Sequence, residues 1–195
     1  MSSLLVLDQK ITFLLYLESI DPTLTNTIYF IASGFVYVIP IVLLVMFWRS
    51  HRDRIVSMKI FLAALLAWQG LTTVVGDYLY THYLFRDRPF TGRGIQELFF
   101  EQPHKAFPSD HAAVLMVVIV AAFAYRYPKL GYVFLIGGVL SSLARVVIGF
   151  HWFGDILAGW LLGAIAVGVI WLFDRPITVA FEWVIKKFSR SYGRR

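Results

Sequence analysis

The sequence predicts an all-helical protein that crosses a membrane several times. Hydrophobic residues make up 58% of the 195 residues and charged residues only 15%, whereas soluble domains are about 45–50% apolar and about 25% charged. Five stretches contain no charged residue: 28–48, 60–76, 112–125, 130–144 and 156–173. The alternation of polar and apolar residues that is typical of membrane strands is absent from them. We therefore predict one domain over residues 1–195, a polytopic helix bundle with five or six transmembrane helices.

The elements follow in chain order. Residues 2–20 mix leucines with Asp8, Lys10 and Glu18, which favours an amphipathic helix at the membrane surface over a sixth span. The first and last charge-free stretches approach the ~20 residues that a ~30 Å hydrocarbon core requires. The third and fourth contain only 14 and 15 residues, so we expect each to extend by about a turn, from Ser109 and to Gly149 respectively.

The basic residues predict an orientation. Four lie between the first two stretches, two between the third and fourth, and six after the last, so one side holds 12 of the 18 Lys and Arg residues. The positive-inside rule assigns that side to the cytoplasm. Segments 77–111 and 145–155 would then lie on the outer face of the cell (inner) membrane.

Composition also limits the chemistry and the partners. A net charge of +6 in so apolar a chain indicates membrane lipid or phosphate rather than nucleic acid. The chain has no cysteine, which excludes disulfides, thiolate metal sites and a cysteine nucleophile. No obligate protein partner is inferred.

The chemically interesting residues fall into three motifs that helix parity places on the outer side. These are FRDRPF with Arg86 and Arg88, FPSDHA with Ser109, Asp110 and His111, and ARVVIGFHWFGD with Arg145, His151 and Asp155. Each motif alone has an ordinary structural explanation, such as arginines that snorkel to headgroups or a helix cap at Ser109 or Asp110. Arg145 is the exception, because an unpaired cation close to membrane depth is costly.

Together the motifs indicate a phosphate site. Arginine binds phosphate oxygens bidentately and stays charged, and a helix that begins near Ser109 offers free N–H groups. Asp155, four residues after His151, can hold one imidazole nitrogen and leave the other free to attack. His111 could then protonate a leaving oxygen. Metal binding is the alternative use of the histidines, but no compact ligand set is visible.

In this order and spacing, the three motifs resemble the signature of the type-2 phosphatidic acid phosphatases, a superfamily of membrane lipid phosphatases. The resemblance covers about residues 77–160, and "RDRPF" followed by "PHKAFPSDHA" is most similar to the bacterial undecaprenyl-diphosphate phosphatases. It implies a metal-free, cofactor-free reaction in which His151 is the nucleophile, Asp155 its orienting partner and His111 the general acid. The phosphate-binding residues that it implies are Arg86, Arg88, Ser109, Asp110 and Arg145.

The chain departs from the family pattern at one phosphate-binding position. The first motif of the family opens with a lysine, and Thr81 occupies that position here. Arg86 or Lys105 could substitute for the missing cation. Thr81, His104 and Lys105 are candidates for contact with the substrate, the last two with a second phosphate.

The resemblance implies an enzyme that hydrolyses a polyprenyl (undecaprenyl) diphosphate to the monophosphate and inorganic phosphate through a phosphohistidine. One alternative is the same chemistry on phosphatidylglycerophosphate, phosphatidic acid or a lipid A phosphate. A second alternative is a non-catalytic binder or transporter of anionic lipids, which would need the arginines but not the histidines.

Overall fold

The computed structural model describes residues 3–16, 22–82, 88–89 and 106–192, and these residues form helices with short connections and no strand. The helices, in chain order, are α1 (Ser3–Leu15), α2 (Pro22–Gly34), a 3-10 turn (Phe35–Tyr37), α3 (Val38–Arg49), α4 (His51–Leu65), a π-helical segment (Leu66–Thr72), α5 (Thr73–His82), α6 (Asp110–Ala124), α7 (Pro128–Val147), α8 (Phe153–Leu172) and α9 (Asp174–Tyr192). The predicted helical bundle is confirmed.

Four helical runs are long and apolar enough to cross a membrane, and a fifth, α6, is shorter. The four are Thr23–Arg49, His51–His82, Pro128–Val147 and Phe153–Leu172. α6 has 15 residues, or about 22 Å, yet its buried side chains pack among the other helices rather than against lipid. These five runs correspond to the five charge-free stretches. α1 has 13 residues, about 20 Å, which is too short to cross a ~30 Å core.

The charged stretch between the first two spans is helical, although the sequence suggested a connection there. Only Ser50 interrupts the run, and its Oγ accepts a hydrogen bond from the N–H of Asp53 at 3.1 Å, which caps α4. The charges of α4 are tolerated because they have partners from distant segments: Asp53 accepts from the Tyr127 hydroxyl and Lys59 pairs with Asp174.

This end of the bundle is the basic one. Arg52 donates to the carbonyl oxygen of Tyr125 at 3.1 Å, so the start of α4 packs against the α6–α7 connection. Burial, and next the hydrogen bond to Asp53, raises the pKa of Tyr127 to about 12. The Tyr127 phenol therefore stays neutral and donates. α9, which the sequence did not predict, also begins here, with Arg175 in its first turn.

α6 and α8 cross in very close contact because α8 presents glycine there. A Cβ atom on Gly159 would lie 2.4 Å from the carbonyl oxygen of Ser109, and one on Gly163 would lie 2.3 Å from that of Ala113. Small residues four apart allow membrane helices to approach in this way. The contact fixes the start of α6 against the start of α8, the two ends where the second and third motifs lie.

Gly159→Ala is expected to lower the free energy of unfolding by about 1–3 kcal/mol, because the new methyl group forces the two backbones apart. Gly168→Ala is the matched control, since a Cβ on Gly168 meets nothing within 4 Å. Thermal unfolding in detergent should show a lower Tm for the first variant and no loss for the second. Equal Tm values would mean that the contact between α6 and α8 can accommodate the added methyl group.

Candidate active site

The polar residues of the second and third motifs meet at the end of the bundle opposite the basic one. α7 ends there, α6 and α8 begin there, and the 148–152 turn joins α7 to α8. Gly149 has a φ of 78°, a left-handed conformation that suits glycine and reverses the chain. The N–H of Phe150 donates to the Arg145 carbonyl at 2.9 Å, which brings His151 back beside the last turn of α7.

His151 is buried and held at both ring nitrogens. Its Nδ1 lies 2.8 Å from the carbonyl oxygen of Ala106, and its Nε2 lies 3.2 Å from Nη2 of Arg145. A guanidinium group can only donate, so Nε2 is the acceptor and Nδ1 carries the proton that is donated to Ala106. The ring therefore presents the lone pair of Nε2 on the side of the arginine.

Asp155 supports this arrangement less directly than the sequence suggested. Its Oδ2 lies 3.5 Å from Nδ1 of His151 and accepts a hydrogen bond from the N–H of Trp152 at 2.9 Å. The closer partner of Nδ1 is the backbone carbonyl of Ala106, which the sequence analysis missed. A carbonyl oxygen occurs in every residue, so no sequence signal could have identified this one.

Two arginines border the same position. Arg145 is only 1% exposed; besides contacting His151, its Nη1 donates to the carbonyl of Ala32 at 3.3 Å, and its guanidinium lies 5.3 Å from the centre of the Phe150 ring. Arg88 donates through Nη1 to the carbonyl of Phe150 at 3.3 Å. The first and third motifs are thus brought together around the His151 turn.

The second motif begins α6 beside this turn. Ser109 is the N-cap of α6: its Oγ accepts from the N–H of Ala112 at 3.5 Å, and its own N–H donates to the Asp155 carbonyl at 3.1 Å. This confirms a helix start at Ser109. Asp110 and His111 follow in the first turn and face the same cavity as the arginines.

The cavity has a volume of 1210 Å³ and two chemically different ends. The polar end is lined by Arg88, Asp110, His111, Arg145 and His151. The remainder runs between α3 and α4 and is lined by apolar side chains, among them Phe47, Phe61, Leu65 and Trp68. An anionic headgroup fits the polar end, and a long apolar chain fits the rest.

Of the predicted site residues, three lie outside the described residues and one is not among those that line the cavity. Arg86, His104 and Lys105 lie outside the described residues. Thr81 is exposed at the end of α5, its hydroxyl donates to the carbonyl of Asp77 at 2.8 Å, and it is not among the residues that line the cavity. Within the described ranges, no group of three or more His, Asp or Glu side chains could hold a metal ion.

Comparison with known proteins identifies the family. The sequence profile described as the PAP2 superfamily matches residues 59–178. The undecaprenyl-diphosphatase BcrC of Bacillus subtilis is 31% identical over 135 residues, which is 64% of this chain and 69% of that protein. The lipid A 1-diphosphate synthase of Escherichia coli is 37% identical over 88 residues, 44% of this chain and 35% of that protein.

The fold is also that of a solved member. The crystal structure of a transmembrane PAP2-type phosphatidylglycerolphosphate phosphatase from Bacillus subtilis aligns with a TM-score of 0.61 and 21% identity, over 91% of this chain and 89% of that one. Family profile, relatives and fold agree with the three motifs gathered at the cavity. The chain is a multi-pass membrane phosphatase that belongs to the PAP2 superfamily.

Proposed function

We propose that the protein hydrolyses undecaprenyl diphosphate, or a closely similar polyprenyl diphosphate, to the monophosphate and inorganic phosphate. The observation that carries the proposal is the placement of the His151 imidazole and the Arg145 guanidinium at the polar end of a long apolar cavity. The similarity to a protein named undecaprenyl-diphosphatase supports the choice of lipid.

The proposed reaction has two steps. In the first, Nε2 of His151 attacks the terminal phosphorus, the bond to the bridging oxygen breaks, and His111 protonates that oxygen as the lipid monophosphate leaves. In the second, water attacks the phosphorus of the phosphohistidine and gives its proton to His111. The bond between phosphorus and Nε2 breaks, which releases inorganic phosphate and restores His151. The carbonyl of Ala106 and the carboxylate of Asp155 face Nδ1 and stabilise the ring as its charge develops.

Phosphate binding falls to the cationic side chains and the α6 start. Arg145 and Arg88 both border the cavity, where a low dielectric makes their attraction for a phosphoryl group strong. The Ser109 hydroxyl and the backbone N–H groups of Asp110 and His111 complete the cradle in this proposal, and Arg86 adds a further cation. Because these groups neutralise the phosphoryl charge, the reaction requires no divalent metal.

We further propose that the site faces the outside of the cell. The basic residues Arg49, Arg52 and Arg126 lie at the opposite end of the bundle, together with the start of α9. The positive-inside rule would place that end in the cytoplasm.

Phosphate release by detergent-purified protein in excess EDTA tests the proposal. Undecaprenyl diphosphate and phosphatidylglycerophosphate should be offered separately, with His151→Ala as the inactive control. We expect release from the diphosphate at a rate that EDTA changes less than about twofold, since arginine rather than metal neutralises the charge.

Each of the other possible results would indicate a different function. Preference for the glycerophospholipid would overturn the polyprenyl assignment and keep the chemistry. Loss of activity in EDTA, restored by Mg²⁺, would overturn the metal-free reaction. Headgroup binding without turnover, and unaffected by His151→Ala, would indicate a binder or transporter.

A further inference from the structure

The first turn of α8 holds its backbone N–H groups in an unusual way. A helix start leaves four such groups without partners inside the helix. Two are satisfied locally: the N–H of Trp152 donates to Asp155 Oδ2 at 2.9 Å, and that of Asp155 donates to the Trp152 carbonyl at 3.0 Å. The other two are satisfied by α1, more than 140 residues away in sequence.

These two contacts come from Asp8 and Thr12. The N–H of Gly154 donates to Oδ1 of Asp8 at 2.7 Å, and the N–H of Phe153 donates to Oγ1 of Thr12 at 3.1 Å. Thr12 is fully buried, and the centres of the neighbouring Phe13 ring and the Trp152 ring lie 6.1 Å apart with the ring planes nearly perpendicular. Asp8 and Thr12 are four apart, so they share one face of α1.

Most of the leucines of α1 face away from the protein. Leu4, Leu7 and Leu14 are 75%, 54% and 84% exposed. α1 thus turns its polar acceptors toward α8 and most of its leucines toward the surroundings. A surface helix of a soluble protein has the reverse arrangement, with apolar side chains toward the protein. A helix at the membrane surface would gain from this arrangement, because the leucines enter lipid while the acceptors stay on α8.

We propose that Asp8 and Thr12 are positioning residues for the reaction. Because they accept the hydrogen bonds of the first two N–H groups of α8, the Asp155 carboxylate remains directed at Trp152 and His151. Asp155 is the acidic residue of that same turn, at the third helical position. Without Asp8, the free N–H groups would attract that carboxylate away from Nδ1 of His151. The catalytic part of this inference rests on the proposed function, whereas the cap itself does not.

The cap can be tested by pairs of substitutions that remove or keep the acceptor. Asp8→Ala and Thr12→Val remove it, and Asp8→Asn and Thr12→Ser keep an oxygen in place. Lys10→Gln is the matched control, because Lys10 lies on the exposed side of the same helix. Hydrogen–deuterium exchange of the amides at 153 and 154 should accelerate at least about tenfold in the first pair only, since those amides lose their partner.

Steady-state kinetics then test the positioning role. We expect kcat to fall about 10- to 100-fold in Asp8→Ala and Thr12→Val, as small misplacements of a reacting group do, with KM within about twofold. Asp8→Asn and Thr12→Ser should recover most of kcat. Lys10→Gln should match the unmodified protein.

The outcomes separate the two proposals. Unchanged amide exchange in Asp8→Ala and Thr12→Val would overturn the cap. Faster exchange with unchanged kcat would overturn the positioning role and make α1 an anchor only. An unmodified protein that is inactive on every lipid would overturn the proposed function, while the exchange measurement would still decide the cap. Thr12→Val preserves side-chain volume, so it provides the test if Asp8→Ala fails to fold.

Discussion

Replacing His151 with alanine is expected to abolish turnover, with a loss of about 10⁴-fold or more, as removal of a covalent nucleophile does. The imidazole is the group whose lone pair faces the Arg145 guanidinium at 3.2 Å. Its removal leaves in place the arginines that we propose bind phosphate, so substrate binding should survive. Phosphate release and substrate binding must therefore be measured on the same preparation.

His51→Ala is the matched control for that experiment. His51 is an exposed histidine at the start of α4, at the basic end of the bundle. Rapid quenching with substrate labelled at its terminal phosphate should trap labelled protein in the unmodified chain and in His51→Ala, and none in His151→Ala. A label that survives alkali and is lost in acid would identify a phosphoramidate bond to histidine. Near-normal turnover by a folded His151→Ala protein would remove the proposed reaction.

The sequence could predict which candidate residues lie together, because they are close in the chain or at the same ends of helices. Arg145, His151 and Asp155 follow one another at the end of α7 and the start of α8, and a chain reversal there is enough to bring them together. Ser109 or Asp110 was predicted as a cap from its place before an apolar stretch, and the structure has Ser109 as the cap of α6. Helix parity placed both motifs at one end of the bundle, where the structure has them.

The contacts that the sequence did not reveal join residues far apart in the chain. Charges at 49–59 suggested a connection, but Asp53 and Lys59 are helical because Tyr127 and Asp174 reach them. In the same way, Asp8 suggested the polar face of a surface helix, whereas it binds the N–H of Gly154. Composition and periodicity describe neighbours in sequence, so pairings of this kind become visible only in three dimensions.

Arg145→Met is expected to separate catalysis from stability. Loss of the guanidinium should lower turnover by about 10³-fold, comparable to the loss of a key donor to a developing oxyanion. The Tm should not fall, because a buried cation is costly to desolvate and an apolar side chain of similar length can replace it without loss. The carbonyl of Ala32, which Arg145 contacts, keeps a partner, since the Ser141 hydroxyl also donates to it at 3.2 Å.

Ser141→Ala provides the opposite control on the same carbonyl. It removes one buried hydrogen bond, worth about 1 kcal/mol, and it leaves the contact between Arg145 and His151 untouched. We expect a lower Tm with normal turnover for Ser141→Ala, and normal Tm with minimal turnover for Arg145→Met. Arg145→Lys should resemble Arg145→Met in turnover, because an ammonium group cannot hold phosphate bidentately. If Arg145→Met instead lost stability and activity in proportion, Arg145 would be a structural residue, and the burial of a cation beside His151 would need another explanation.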